Sequence, residues 1–223
     1  MTNFIFKLAF MKIRYWLFLL ATLGLVIFIG CKKDDYDPSI TISDIDGNVY
    51  HTVKIGTQIW MVENLKTTKF DDGTVIPLVE DSASWYALLT PGYSWYNNDE
   101  ANYKETYGAL YNFYTVNIGK QLCPKGWHAA SYSDWLILID YLGGMEVAGA
   151  KLKEAGFKAL LGGSRSMASF RGDFYGAESF GTWWTSANTI YNPQCWQIFK
   201  TSIHAHPGNC ELSDGFSVRC VKN

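Results

Sequence analysis

From residue 40 the chain alternates between apolar and polar positions. Ile40 and Ile42, then Val49, Val53 and Ile55, carry the two-residue period of strands with one buried face. Asp46-Gly47-Asn48 between them reads as a turn, Gly56-Thr57-Gln58 leads into Ile59-Trp60-Met61, and Asp71-Asp72-Gly73 is a further turn. Residues 40–62 are therefore predicted to be β-structure. Residues 80–106 are polar, aromatic and without period, and read as a long loop region. A helical period takes over at 132–142, where Trp135, Leu138, Ile139 and Leu142 fall at i, i+3, i+4 and i+7. Ser131-x-x-Asp134 opens that helix as a capping box, and Gly143-Gly144 ends it. A shorter helix is predicted at about 146–155, and a third from Tyr107 to Val116. Beyond residue 160, glycine-punctuated short strands follow: Trp183-Trp184-Thr185, Trp196 to Phe199, and Phe216 to Cys220 with Phe216, Val218 and Cys220 on one face.

The first 30 residues have a different texture. Lys7, Lys12 and Arg14 precede an almost wholly apolar run from Trp16 to Ile29. That run is short for a spanning helix, which needs ~20 apolar residues, and fits a secretory signal. Lys12 and Arg14 directly after Met11 leave two starts open, Met1 and Met11. Phe28-Ile29-Gly30-Cys31 resembles a bacterial lipobox, with Phe28 in a place where Leu is preferred. The resemblance implies a lipid on Cys31, anchored by more than one acyl chain because a single chain holds weakly. Lys32-Lys33-Asp34-Asp35 resembles the charged tether of such lipoproteins. The expected organisation is a signal peptide at 1–30, a lipid-anchored linker at 31–39 and one domain at 40–223.

Composition agrees with export. The chain has 223 residues, 48% hydrophobic and 18% charged, a globular balance. Residues 31–223 hold 16 basic and 21 acidic side chains, and no basic stripe runs among the aromatics, so nucleic acid is excluded as a partner. With Cys31 lipidated, Cys123, Cys195, Cys210 and Cys220 remain, an even number suited to an oxidising compartment. Three pairings are open from the sequence. No Cys/His spacing suits a structural metal, and no cofactor is expected.

Several segments taken in order resemble the Fibrobacter succinogenes major paralogous domain, a family of secreted bacterial proteins. They include Asp46 to Tyr50, Val53 to Met61 and Tyr107 to Asn112. Cys123-Pro124-Lys125-Gly126-Trp127-His128, Gly162-Gly163-Ser164-Arg165, Trp183-Trp184-Thr185-Ser186 and Gly215 to Val221 follow. Ala130 and Leu161 depart from it, since proline is usual at both places. The second half is also similar to a C-type-lectin-like domain. The implied fold class is α+β, a C-type-lectin-like domain of short antiparallel strands, two to three helices and long loops, stapled by disulfides. That likeness implies nested bridges, Cys123 with Cys220 and Cys195 with Cys210.

Candidate chemistry is sparse. Asn192-Pro193-Gln194 and Trp95 to Asp99 lie in the wrong places for a lectin calcium site. His204 and His206 share a strand face without an evident third ligand. No Gly-x-Ser-x-Gly is present. Trp85, Trp95 and Tyr96 in the loop region, with one of Trp183 and Trp184, are the candidate ligand-binding aromatics. The expected function is a non-catalytic recognition or adhesion module, lipid-anchored at the outer membrane, for a polysaccharide or another envelope component. The alternatives are a secreted glycan-active enzyme and a purely structural envelope protein. Non-reducing mass mapping of the mature protein should find acyl mass on Cys31 and two intramolecular bridges. An unacylated chain with free thiols contradicts this reading.

Overall fold

The computed structural model describes residues 35–154, 156–165, 171–187, 191 and 193–223. The leader, Cys31 and the first tether residues lie outside these, as does residue 155 at the end of the second predicted helix. In chain order the strands are β1 (Asp35–Ser43), β2 (Val49–Ile55), β3 (Gln58–Met61), β4 (Tyr93–Ser94), β5 (Leu110–Tyr111) and β6 (Trp127–Ala129). Then come β7 (Ser164–Arg165), β8 (Phe174–Tyr175), β9 (Phe180–Trp184), β10 (Gln194–Phe199), β11 (Ala205–Asn209) and β12 (Cys220–Lys222). The helices are α1 (Ser82–Tyr86), α2 (Glu100–Tyr107), α3 (Phe113–Asn117), α4 (Tyr132–Tyr141) and α5 (Met145–Glu154). The fold is α+β with small antiparallel sheets. Among the described residues no helix is long and apolar enough to cross a membrane.

The largest sheet has five strands in the order β1-β2-β3-β12-β6. Its first hairpin is built by Asp44, whose carboxylate accepts the N–H of Asp46 at 3.0 Å and of Asn48 at 2.9 Å, while Gly47 takes the left-handed conformation. β1 takes in residues 35–39, which the sequence reading gave to the linker: Asp35 and Tyr36 pair with Lys54 and Val53. A second sheet, β11-β10-β9, is an antiparallel meander. The pairs β4–β5 and β7–β8 complete the set.

The helix count exceeds the two to three expected from the sequence. α1 and α2 sit inside the stretch read as a long loop. α2 buries none of its residues, so no apolar period marked it. The helix predicted from Tyr107 to Val116 is interrupted. Gly108 has φ +72°, and a Cβ there would meet the Leu65 carbonyl oxygen at 2.7 Å. The chain extends through β5 before α3 begins, capped by Asn112. α4 is as predicted, with both arms of the Ser131/Asp134 capping box made.

Two cores form, one on each side of the strands. One gathers Tyr50, Met61, Tyr111, Phe113, Trp184, Phe216 and Val218. The other gathers Trp60, Trp135, Phe157, Trp183, Trp196 and the apolar face of α4. Trp135 meets Trp60 edge-on at 5.3 Å between ring centroids and stacks with Trp196 at 6.2 Å. Such pairs contribute about 0.5–1.5 kcal/mol beyond area burial. Two disulfides staple the assembly: Cys123–Cys220, spanning 97 residues, and Cys195–Cys210, spanning 15. In the chain-entropy account the longer loop stabilises more, about 4–5 kcal/mol against about 3.

The C-terminal segment binds the sheets to one another. Gly215 exchanges backbone hydrogen bonds with Arg165, and Phe216 with Tyr111. Ser217 N–H donates to Thr182 O, and its carbonyl accepts from Trp184 N–H. Val218 O accepts from Leu65, and Arg219 O from Ala130. Arg219 itself is fully buried. Its guanidinium donates to the carbonyls of Met61, Phe157 and Lys158 at 2.8–2.9 Å and to Asn64 Oδ1 at 2.7 Å. Asn64 Oδ1 also accepts from Trp183 Nε1 at 2.8 Å, and its amide donates to Tyr107 O. Burial, opposed by the charge of Glu63, lowers the Arg219 pKa to about 9. The Asn64→Ala variant strands two buried donors at once, one of them charged. It should lose about 3–5 kcal/mol of stability in urea unfolding, and a loss below about 1 kcal/mol contradicts the hub.

Candidate functional site

The aromatic residues singled out from the sequence do not form a platform. Trp85, Trp95, Trp183 and Trp184 are all buried. Trp183 and Trp184 do point to opposite faces of β9, but both faces are covered, one by each core. Trp85 carries the Arg165 guanidinium 4.6 Å above its ring and donates Nε1–H to Ser213 O at 2.7 Å. Tyr93 meets Trp95 edge-on at 5.3 Å. Tyr96 is half-buried, packed on Tyr103 and Phe174, and its hydroxyl accepts from Ala177 N–H. His204 pairs with Glu146 at 2.8 Å.

A different region is open. A cleft of about 610 Å³ lies between three segments distant in sequence. Asn117 ends α3 and Gly119 and Lys120 follow it, Ser131, Tyr132 and Ser133 begin α4, and Ser186, Ala187 and Gln194 flank the β9–β10 connection. Hydrogen bonds tie the β9–β10 wall to the segment ahead of α4. Ser186 N–H donates to Ala130 O at 2.9 Å, its hydroxyl donates to Ala129 O at 2.7 Å, and Thr185 N–H donates to Gln194 O at 3.0 Å. Tyr132 stacks on buried Trp196 with ring centroids 5.8 Å apart, which holds its half-exposed ring in place. Lys120 is held on Asp72 at 2.7 Å, and that hydrogen bond draws the Asp72 pKa down.

The chemistry of this cleft is hydroxyl and amide groups, one ring and one ammonium. Among the described residues that line it there is no carboxylate. Asp134, behind it, is occupied as the α4 cap. Burial raises its pKa, but hydrogen bonds from Ser131 and His128 outweigh that and lower it. The sequence reading used Ser131 only as a helix cap and discounted Gln194 because it abuts Cys195. Their proximity exists only once β9, β10 and α4 are packed.

A second pocket, about 460 Å³, lies between Tyr86 at the end of α1, Leu88 and Leu89 after it, Tyr114 of α3, and the loop 211–214. Its loop is pinned by Trp85 Nε1–H on Ser213 O and by Phe113 N–H on Leu212 O at 3.1 Å. Asp214 is 4% exposed. Its Oδ2 accepts the Glu211 N–H at 2.9 Å, and its Oδ1 has no hydrogen-bond partner. Burial, with a smaller push from the Glu211 charge and against the Glu211 N–H bond, raises the Asp214 pKa to about 7.

The family model described as the Fibrobacter succinogenes major domain matches residues 53–222. The chain belongs to that family. Neither the curated proteins nor the solved structures contain a match to it. The Fibrobacter succinogenes major domain here thus takes in both clefts, both bridges and the C-terminal segment, and leaves β1 and the first residues of β2 outside. The segments that carry the resemblance, Trp183 to Ser186 and Gly215 to Val221, serve in this domain chiefly as core and backbone zipper.

The raised Asp214 pKa makes stability pH-dependent. The carboxyl is neutral when buried and ionises more easily when unfolded, near 3.8. Its contribution is full below that value, is lost as pH rises toward about 7, and is flat above. Asp214→Asn abolishes this loss. Relative to wild type it should gain up to roughly 4 kcal/mol between pH 4 and pH 8 in urea unfolding. A pH-independent difference contradicts the assignment.

Proposed function

We propose that this protein is a lipid-anchored component of the cell envelope that recognises a polysaccharide without altering it, through the cleft between α3, α4 and the β9–β10 connection. The cleft carries the reading. It offers the Ser133 hydroxyl and the amides of Asn117 and Gln194, with the Ser131 and Ser186 oxygens as acceptors since their protons are donated to Asp134 and Ala129, beside the ring of Tyr132. Neutral polyhydroxylated ligands are bound by such groups, with the ring supplying an apolar face. A lining without carboxylates suits recognition better than glycoside hydrolysis, which uses a pair of them.

The nested bridges Cys123–Cys220 and Cys195–Cys210, the helix ahead of a Trp-rich sheet, and the return of the last strand to the first sheet support a C-type-lectin-like architecture. The charged tether and lipobox-like leader support anchoring at the outer membrane through Cys31. A glycan array probed with the mature protein should give a restricted set of positives. Tyr132→Ala should weaken them ~10-fold, about 1.4 kcal/mol; it also loses the stack on Trp196, so urea unfolding verifies that the variant is folded under the assay conditions. Silence across the array, or positives indifferent to Tyr132→Ala, removes the cleft from this role.

A further inference from the structure

We propose that the pocket at Asp214 is a second binding site, one that takes a primary ammonium group carried on an aliphatic stem. The walls supply both halves of that ligand. Leu88, Leu89 and Leu212 line the pocket with aliphatic surface. Tyr86 and Tyr114 add two rings, and a cation over such a ring is attracted by its face. Leu89 is 74% exposed and Tyr86 51%, so the mouth offers apolar surface to an incoming chain.

The interior supplies the charge. Asp214 Oδ1 is sealed from solvent with no partner, and burying a carboxylate in that state is costly. The protein brings it no counterion. Among the described residues, the charged and titratable groups around the pocket are Glu211 on the same loop, Tyr86 from α1 and Tyr114 from α3, none of them cationic at neutral pH. Arg165, whose backbone pairs with Gly215, spends its guanidinium on the carbonyls of Val79, Glu80 and Gly172. A carboxyl turns easily about its terminal torsion, so Asp214 swings toward a cation placed in the pocket it lines. An ammonium guest relieves the uncompensated charge. An anionic guest is repelled by Glu211, and an alkyl guest leaves Oδ1 unpaired.

Ionisation of Asp214 near pH 7 adds a signature. Below that pH a proton competes with the guest, so the affinity rises as pH climbs to about 7 and levels off beyond it.

The test is titration of the mature protein with pentylammonium, followed by NMR shifts or calorimetry, with 1-pentanol as the uncharged isostere and Nα-acetyl-lysine methylamide as the peptide-borne form. The proposal expects the ammonium to bind at least ~10-fold tighter than the alcohol, and Asp214→Asn to remove that preference. Asp214→Asn takes away an uncompensated buried charge, so its fold survives, and urea unfolding of the variant verifies this. Glu211→Gln, an exposed change, should cost only ~2–3-fold. Tyr132→Ala should leave ammonium binding untouched, which separates this site from the polysaccharide cleft. Tighter binding of the acetyl-lysine form than of pentylammonium supports a peptide source, and the reverse a free amine. Equal binding of amine and alcohol, no ammonium binding at ~50 mM, or an Asp214→Asn variant that keeps the preference overturns the proposal.

Discussion

The structure depends on the run of backbone hydrogen bonds made by residues 215–222. Its last part is β12, an interior strand of the five-stranded sheet between β3 and β6. Just before that, the segment bonds to β7, β5 and β9 in turn, so members of all four sheets among the described residues are tied to one length of chain. A buried peptide group without a partner is costly, and each of these sheets is too short to stand alone. The small sheets are therefore stable as a set or not at all. Cys123–Cys220 locks the same segment to the turn that leads into β6. Most of these bonds join residues far apart in sequence, and loop-closure entropy is spent before they form. Folding is expected to finish only when the last residues are in place.

The same arrangement explains why charge sits in the core. Arg219 and Arg165 are both fully buried, and each satisfies its donors mainly on backbone carbonyls rather than on a carboxylate. A planar guanidinium with five donors can clamp several loops that no regular ladder reaches. Aromatic rings complete both sites: Phe157 lies 4.3 Å from the Arg219 guanidinium carbon, and Phe174 lies 4.5 Å from that of Arg165. The unusual content of Trp and Tyr is thus largely a structural material. Every tryptophan among the described residues is buried.

How far the sequence could be read follows from what each feature encodes locally. α4 was legible because its cap and its apolar period lie within twelve residues. The β1–β2 hairpin was legible through Asp46-Gly47-Asn48. α2 was not, since it is polar all round, and only Asp99, which accepts the Asn102 N–H, marks its start. Adjacent residues of a strand such as Trp183 and Trp184 face opposite sides, but that alternation cannot say that both sides are covered. The cleft between α3, α4 and the β9–β10 connection was out of reach for a related reason. Asn117, Ser131 and Gln194 meet only through tertiary packing, and no local pattern distinguishes them from ordinary loop residues. In the sequence Asp214 is one carboxylate among several; its burial follows only from the packing of the loop 211–214, where Trp85 Nε1–H donates to Ser213 O.

Native-state hydrogen exchange tests the role of the C-terminal segment most directly. The amides of Leu65, Tyr111, Ala130, Arg165 and Trp184 all donate to residues 215–219, and they belong to different parts of the fold. If the segment is the common tie, these amides and those of Phe216 and Ser217 open together, with the free energy of global unfolding. If the β9–β11 sheet or the β1–β3 meander keeps its protection while residues 215–219 exchange freely, the sheets stand on their own and the account fails.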